Sequence, residues 1–421
     1  MLGRNVMFYC GKNVVHFRTL ASGADFKRVP YSKVDSNMTA RHWTSYLGFH
    51  DAMNNILHRR EEGEPLSQTG LKLSSVLLVP ALKLEAARPV DKIFAFYGIC
   101  KRLGFDLPAP DYEKPVAMIY TEAAQAILHY DQNLEVLSWI CESPGWEWGL
   151  PSWVPDFSGC LCRWTPSKPP HLSIFGKGNP SVSGNTQCQF ELILKGEALK
   201  VKGRRLDLLC ASGLPWMIDS STNLLGDSPL QTGQVYSSFL DCIGSWLDVV
   251  LDRGDFHDIN AATQLLARVL TCDDDLQQQH HLSAENLEVY GRYLSTLVAI
   301  PTLDGDTRQI ALADPQESLQ QNVKVVGDYI LSIGMYMFFQ KIMRCQWKTV
   351  FRTLNGYLGI GTHTVRENDV LAVFHGCSQA AILRPCGDSF KYVGPAYVDG
   401  IMNGEFWGAG TPIDDEWFVL I

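Results

Sequence analysis

The chain has 421 residues, of which 46% are hydrophobic and 19% charged, and its formal net charge is −9. That composition belongs to a globular protein of two or three packing units and excludes a disordered chain. The negative charge argues against a broad nucleic-acid-binding face, and the longest strongly apolar run, Tyr329 to Phe339, is too short to span a bilayer.

Asn5 to Cys10 and Asn13 to Phe17 flank Gly11-Lys12 and predict a hairpin that begins almost at Met1. Tyr46, Phe49, Met53 and Ile56 recur at helical spacing. Leu71 to Leu84 predicts a helix broken at Pro80. Asp91 to Cys100 predicts a short buried helix with Asp91 as its N-cap and Gly98 near its stop. Pro115 suits a helix start, and Val116, Ile119, Tyr120, Ala123 and Ile127 line one face of the helix it opens. Leu134 to Ile140 reads as a short helix or strand. Glu142 to Cys162 is rich in tryptophan and proline and predicts an ordered loop across a core. Prolines, serines and glycines then dominate Arg163 to Gln187, a linker composition.

Gln189 to Leu209 alternates around Gly196 and predicts a second hairpin; Ala211 to Gly233 reads as loop. Tyr236, Phe239, Leu240, Ile243, Trp246, Leu247 and Val250 form a helix face. Ala261 to Leu270, Leu287 to Val298 and Val323 to Met343 predict three more helices. From Asn355 to Trp407, glycines punctuate short apolar runs at Tyr357–Ile360, Val370–Phe374, Ala381–Leu383 and Tyr392–Val393. Such runs predict short strands joined by tight turns. The expected class is α+β: a largely helical N-terminal half with an edge hairpin, central helices, and a small antiparallel, barrel-like β-module at the C-terminal end. The expected domains are a helical region 1–162, a linker 163–188, a hairpin plus helices 189–346, and a β-module 347–421 packing with the hairpin of 189–210.

Candidate chemistry is sparse. Cys160 and Cys162 have one residue between them where structural zinc wants two to four. With His171 and Cys188 downstream they read as ordinary thiols, so no metal is expected. His280-His281 sits in a polar stretch without matching ligands. Neither a Gly-x-Ser-x-Gly elbow nor a phosphate-binding Gly-x-x-x-x-Gly-Lys-Ser/Thr loop occurs. Gly356-Tyr-Leu-Gly-Ile-Gly361 lacks the dinucleotide spacing. No catalytic residue and no cofactor follow from these patterns, which lean against an enzyme and leave the question open. Lys200 to Arg205 alternates as a solvated strand face does. Arg384 ends an apolar run, where it either binds an anion or, the favoured reading, forms a salt bridge within the module; Glu405 is a second ion-pair candidate. The twelve cysteines have no framework spacing and Met1 to Val6 opens no signal sequence, so reduced thiols and a soluble, cytoplasmic protein are expected.

Several segments resemble those of fungal heterokaryon incompatibility (HET) proteins. Asp91-Lys-Ile-Phe-Ala-Phe-Tyr-Gly98 is similar to their Asp-Lys signature, with Asp91, Lys92 and Gly98 at the matching positions. Pro110-Asp-Tyr-Glu-Lys-Pro-Val116 resembles the start of their next helix. Leu150-Pro-Ser-Trp-Val-Pro-Asp-Phe157 carries Trp153, Pro155 and Asp156 of a third motif. Phe351 to Glu405 supplies Gly359, Asp369, Arg384, Gly400, Met402, Gly404 and Glu405 of a fourth. Asn368, Cys377 and Ala380 depart from the family's usual residues, which bears on turn geometry.

The resemblance implies that these residues are structural and that the chain corresponds to the part of a HET protein that lies after its signature domain. That domain is thought to be related to Toll/interleukin-receptor-type folds, some of which cleave NAD. The implied role is fungal non-self recognition and programmed cell death, with a protein partner, such as a full-length HET protein, and without nucleic acid or membrane. The alternative is an accessory protein or enzyme acting on a small molecule in a fungal secondary-metabolite pathway.

Overall fold

In the computed structural model the described residues are 7–10, 13–16, 55–60, 62–65, 69–83, 86–140, 149–158, 181–217, 229–252, 259–272, 283–299, 342, 345–408 and 414–421. The Cys160/Cys162 pair, His280-His281, most of the 163–188 linker, and most of the helices expected over Tyr46–Ile56 and Val323–Met343 lie outside them. Two units emerge: residues 1–132, 147–150 and 156–169 form the first, and residues 133–146, 151–155 and 170–421 the second.

The first unit contains a hairpin of β1 (Met7–Cys10) and β2 (Asn13–His16), in register from Met7↔His16 to Cys10↔Asn13. It also contains α1 (Leu73–Lys83), α2 (Asp91–Leu103) and α3 (Val116–Asp131). Leu73, Val76 and Leu77 of α1, Ile93, Cys100 and Leu103 of α2, and Ile119, Tyr120 and Ile127 of α3 are buried. The Tyr120 hydroxyl donates to the Pro89 carbonyl (2.9 Å), and its ring meets Phe157 edge-on at 5.2 Å.

Three local expectations are corrected. Helix α1 runs through Pro80, because one lost backbone bond weighs less than its buried face. Val90, not Asp91, is the N-cap of α2; Asp91 sits in the first turn, where its charge suits the positive end of the helix dipole. The helix passes Gly98 and ends at Gly104, whose φ of 97° only glycine adopts readily; the turn closes with Gly104 N–H on Lys101 O and Phe105 N–H on Cys100 O. Gly98 has no neighbouring atom within 4 Å of a would-be Cβ, so nothing there stops a helix.

In the second unit one long strand organises the sheet. β4 (Ala198–Ser212) comes after β3 (Phe190–Ile193) through a single 3-10 turn, the expected hairpin. The remaining strands are β5 (Lys348–Thr353), β6 (Leu358–Thr362), β7 (Val370–Phe374), β8 (Ala380–Cys386), β9 (Ser389–Val398) and β10 (Glu416–Leu420). β4 pairs with β7 from Gly203 to Leu208 and with β5 from Leu209 to Ser212. β5 pairs with β6, β6 with β9, β9 with β8, and β8 with β7, all antiparallel, so the ladders close a ring of six strands. The first part of β4 carries β3 on one edge and β10 on the other.

The register of β4 shifts between Arg205 and Asp207 and again between Leu209 and Ala211. Such irregularities bend a strand, and here they let one strand serve successive partners. The expected α+β class with a barrel-like antiparallel module is borne out. Beyond the expectation, β5 and β10 are additional strands, and the stretch read as loop from Ala211 begins as the end of β4.

Helices α4 (Pro229–Leu251), α5 (Ile259–Thr271) and α6 (Ala284–Ala299) belong to this unit. Phe239, Ile243, Trp246, Leu247 and Val250 of α4 are buried in one hydrophobic cluster with Leu266 and Leu270 of α5, Leu294 of α6, and Phe351, Val373 and Ile382 of the sheet. The face read from helical spacing is thus the face that packs. Gly359 marks one of the tight places: a Cβ there would meet the Tyr397 carbonyl oxygen and the Phe351 ring. A short helix, α7 (Glu405–Gly408), lies beyond β9.

Candidate functional site

The signature residues fall into separate places, so each is built up from its element. Asp369 precedes β7, where Asn368 (φ 67°) reverses the chain and both its N–H and the Asp369 carbonyl bond to the Leu209 main chain. The Asp369 side chain is 3% exposed. Arg384, near the end of β8, reaches it with two parallel hydrogen bonds, Nε to Oδ1 and Nη2 to Oδ2, both 2.9 Å. Nη2 also donates to the Thr364 carbonyl (2.6 Å), and Asp369 Oδ2 accepts the Arg366 N–H (2.9 Å). The guanidinium fork is therefore committed to an internal carboxylate and a carbonyl. Glu405 makes no ion pair with Arg384 and instead accepts the Asn403 N–H and Nδ2 at 2.7 and 3.0 Å.

Around Gly400, Met402 and Gly404 the chain turns from β9 into α7. Gly400 and Gly404 have φ of 83° and 84°. Met402 is buried, and its sulfur accepts the Val398 N–H. Gly404 packs its Cα against Gly184, while the Ser181 N–H bonds to the Met402 carbonyl and Trp407 Nε1 to the Val182 carbonyl.

Beside this turn lies a charged cluster that the sequence pattern did not disclose. Asp415, just before β10, receives Arg204 Nε at 2.8 Å, His375 Nε2 at 3.0 Å and Lys202 Nζ at 3.6 Å. His375 Nε2 is in ion-pair range but off the line of a straight hydrogen bond. The Trp407 ring stacks against the Arg204 guanidinium at 4.2 Å and the His375 ring at 4.7 Å. The Arg204 hydrogen bond, with His375 adding to it, holds the Asp415 carboxyl below the usual carboxylate range. Arg205 pairs with Glu416 and Lys200 with Glu191. The basic run Lys200 to Arg205 is thus neutralised by carboxylates of its own unit, which disfavours phosphate binding there.

Asp91 accepts the Tyr112 hydroxyl (2.9 Å), and Lys92 is buried on the same helix. Asp156 is buried and accepts the Ser158 N–H (2.9 Å). Trp153 is fully buried, with Nε1 donating to the Glu197 carbonyl (3.2 Å). Pro155 lies in the same segment, where the Ser152 N–H donates to the Ile421 carbonyl and the Ser152 hydroxyl accepts the Tyr392 N–H. The structure brings together Asp369 with Arg384, and Met402 with Gly404 and Glu405.

Burial pushes the Cys377 thiol up to about 12 and the Tyr392 phenol well above its usual value, so both are protonated and unreactive at neutral pH. Among the described residues no group of three or more His, Cys, Asp or Glu is placed to hold a metal, and no helix is long and apolar enough to cross a membrane. This arrangement offers an ordered surface built on a braced strand ring.

Comparison with known proteins bears on the strands from β5 to β10, with β4 outside the matched residues. Residues 264–419 match the family model described as the Het-6 beta-barrel domain. The chain is 24% identical over 456 residues to heterokaryon incompatibility protein 6, OR allele, of Neurospora crassa, covering 99% of this chain and 64% of that relative. The chain therefore spans a little under two thirds of that relative's length. No solved structure matches the chain. With the barrel-domain match over β5 to β10 and similarity running through the rest, the chain is similar to heterokaryon incompatibility proteins along its length.

Proposed function

We propose that this chain acts in fungal non-self recognition, engaging a protein partner in the cytoplasm through the outer surface of its strand ring. The observation that carries the reading is similarity to a heterokaryon incompatibility protein along 99% of the chain. The geometry supports a binding role over a chemical one: Arg384, the most suggestive charge, is held by Asp369 and Thr364. Programmed death of the fused cell is the output of the whole system, and this chain supplies its recognition part, with a full-length HET protein as the partner.

Deletion of the gene from one strain of an incompatible pair tests this directly. A stable heterokaryon is expected; unchanged incompatibility overturns the reading. Expression of the chain alone in a compatible strain should leave growth normal, and strong cell death would show that the chain is itself the effector. Purification of the tagged chain from fused cells should retain a HET protein.

A further inference from the structure

The sequence contains two Asn-Gly pairs, Asn355-Gly356 and Asn403-Gly404. In such a pair the glycine main-chain nitrogen can attack the asparagine side-chain carbonyl, because no Cβ shields it. The new N–Cγ bond closes a five-membered succinimide, the Cγ–Nδ2 bond breaks, and ammonia leaves with the amide proton. Water then opens the ring at either carbonyl and leaves aspartate or isoaspartate. The reaction needs no reagent but water, so local geometry decides its rate.

The two pairs differ in that geometry. At the turn after β5, the Gly356 N–H is bonded to the Thr353 carbonyl (3.0 Å) and the Asn355 N–H to Asp207 Oδ2 (2.7 Å), so nucleophile and turn are both tied down. At the turn after β9, Asn403 is exposed, and the Gly404 N–H has no hydrogen-bond acceptor among the described residues. Glu405 holds Asn403 from the other side, through its N–H and Nδ2.

We infer that Asn403 is a site of spontaneous deamidation, while Asn355 is protected by its turn. The change matters at this position. It replaces the Nδ2 donor to Glu405 with a second carboxylate, and like charges then face each other. The isoaspartate product also adds a main-chain carbon where Gly404 packs against Gly184, next to the Ser181–Met402 and Trp407–Val182 hydrogen bonds. Ageing would therefore loosen this turn without any enzyme.

Incubation of the full chain in mildly alkaline buffer, with peptide mass mapping afterwards, tests the inference. The peptide bearing Asn403 should convert to the acid several times faster than the one bearing Asn355, and Asn403→Gln should abolish most of the new acidic species on ion exchange. Equal rates, faster conversion at Asn355, or no conversion at Asn403 while a short Asn-Gly peptide converts in the same buffer would each overturn it. Asn403→Asp, which supplies the charge without the extra carbon, should lower Tm less than the isolated isoaspartate form does.

Discussion

Arg384 and Asp369 show how a residue's role depends on what it faces. Arg384→Ala leaves a carboxylate that is 3% exposed without its main partner, and this is expected to cost about 3 kcal/mol in denaturant unfolding. Arg384→Lys keeps the charge but loses the fork, so a smaller loss is expected. Unchanged stability in Arg384→Ala together with lost partner binding would instead make Arg384 a recognition residue. Both residues were visible in the sequence; their pairing was not. They lie 15 positions apart, one just before β7 and the other on β8, two strands whose register no local pattern fixes. The Asp415 cluster was less legible still, since Arg204 and Asp415 are 211 residues apart.

Among elements, α2 has one glycine inside it and one at its C-terminal cap, with opposite requirements. Gly98→Ala meets open space inside a helix and should raise stability by about 0.5–1 kcal/mol. Gly104→Ala puts a side chain at φ 97° beneath the Arg60 guanidinium and should lower it by about 1 kcal/mol or more. Chemical denaturation of the two variants distinguishes them by sign.

Helix α1 is capped from a distance: Asp131, at the end of α3, accepts the Leu73 and Ser74 N–H groups at 2.6 and 3.0 Å. Asp131→Ala should cost about 1–2 kcal/mol and speed amide exchange in the first turn of α1. Helical periodicity revealed which faces of α3 and α4 are buried. It misplaced the start and stop of α2, because ends are set by single residues and their φ angles, and a sequence shows several glycines that could serve.

For the molecule as a whole, the closing strand is where acid sensitivity should appear. The Asp415 carboxyl is depressed in the folded protein, so its contribution is present above the ordinary carboxylate range and lost as pH falls through the lower folded value. Amide exchange at Phe418 and Leu420 should therefore accelerate in acid, beyond the intrinsic pH effect. Arg204→Gln, which removes the leading cause, should shrink that response. Apolar runs between glycines disclosed a barrel-like module, and the hairpin of 189–210 was expected to pack with it; that β4 pairs with β7, β5 and β10, and in which register, was not legible, because long-range pairing leaves no local trace.

The fifteen residues of β4 have a consequence for the order of events during synthesis. Their partners β7, β5 and β10 are all translated later, the last of them some two hundred residues on. A nascent chain therefore leaves the ribosome with β4 paired to β3 alone and its apolar side chains Leu199, Val201 and Leu209 awaiting cover. Loop closure over such separations is slow, and unpaired strand edges invite association with other chains. The cell must shelter this strand until the final segment emerges, so yield in a heterologous host should depend on chaperone supply.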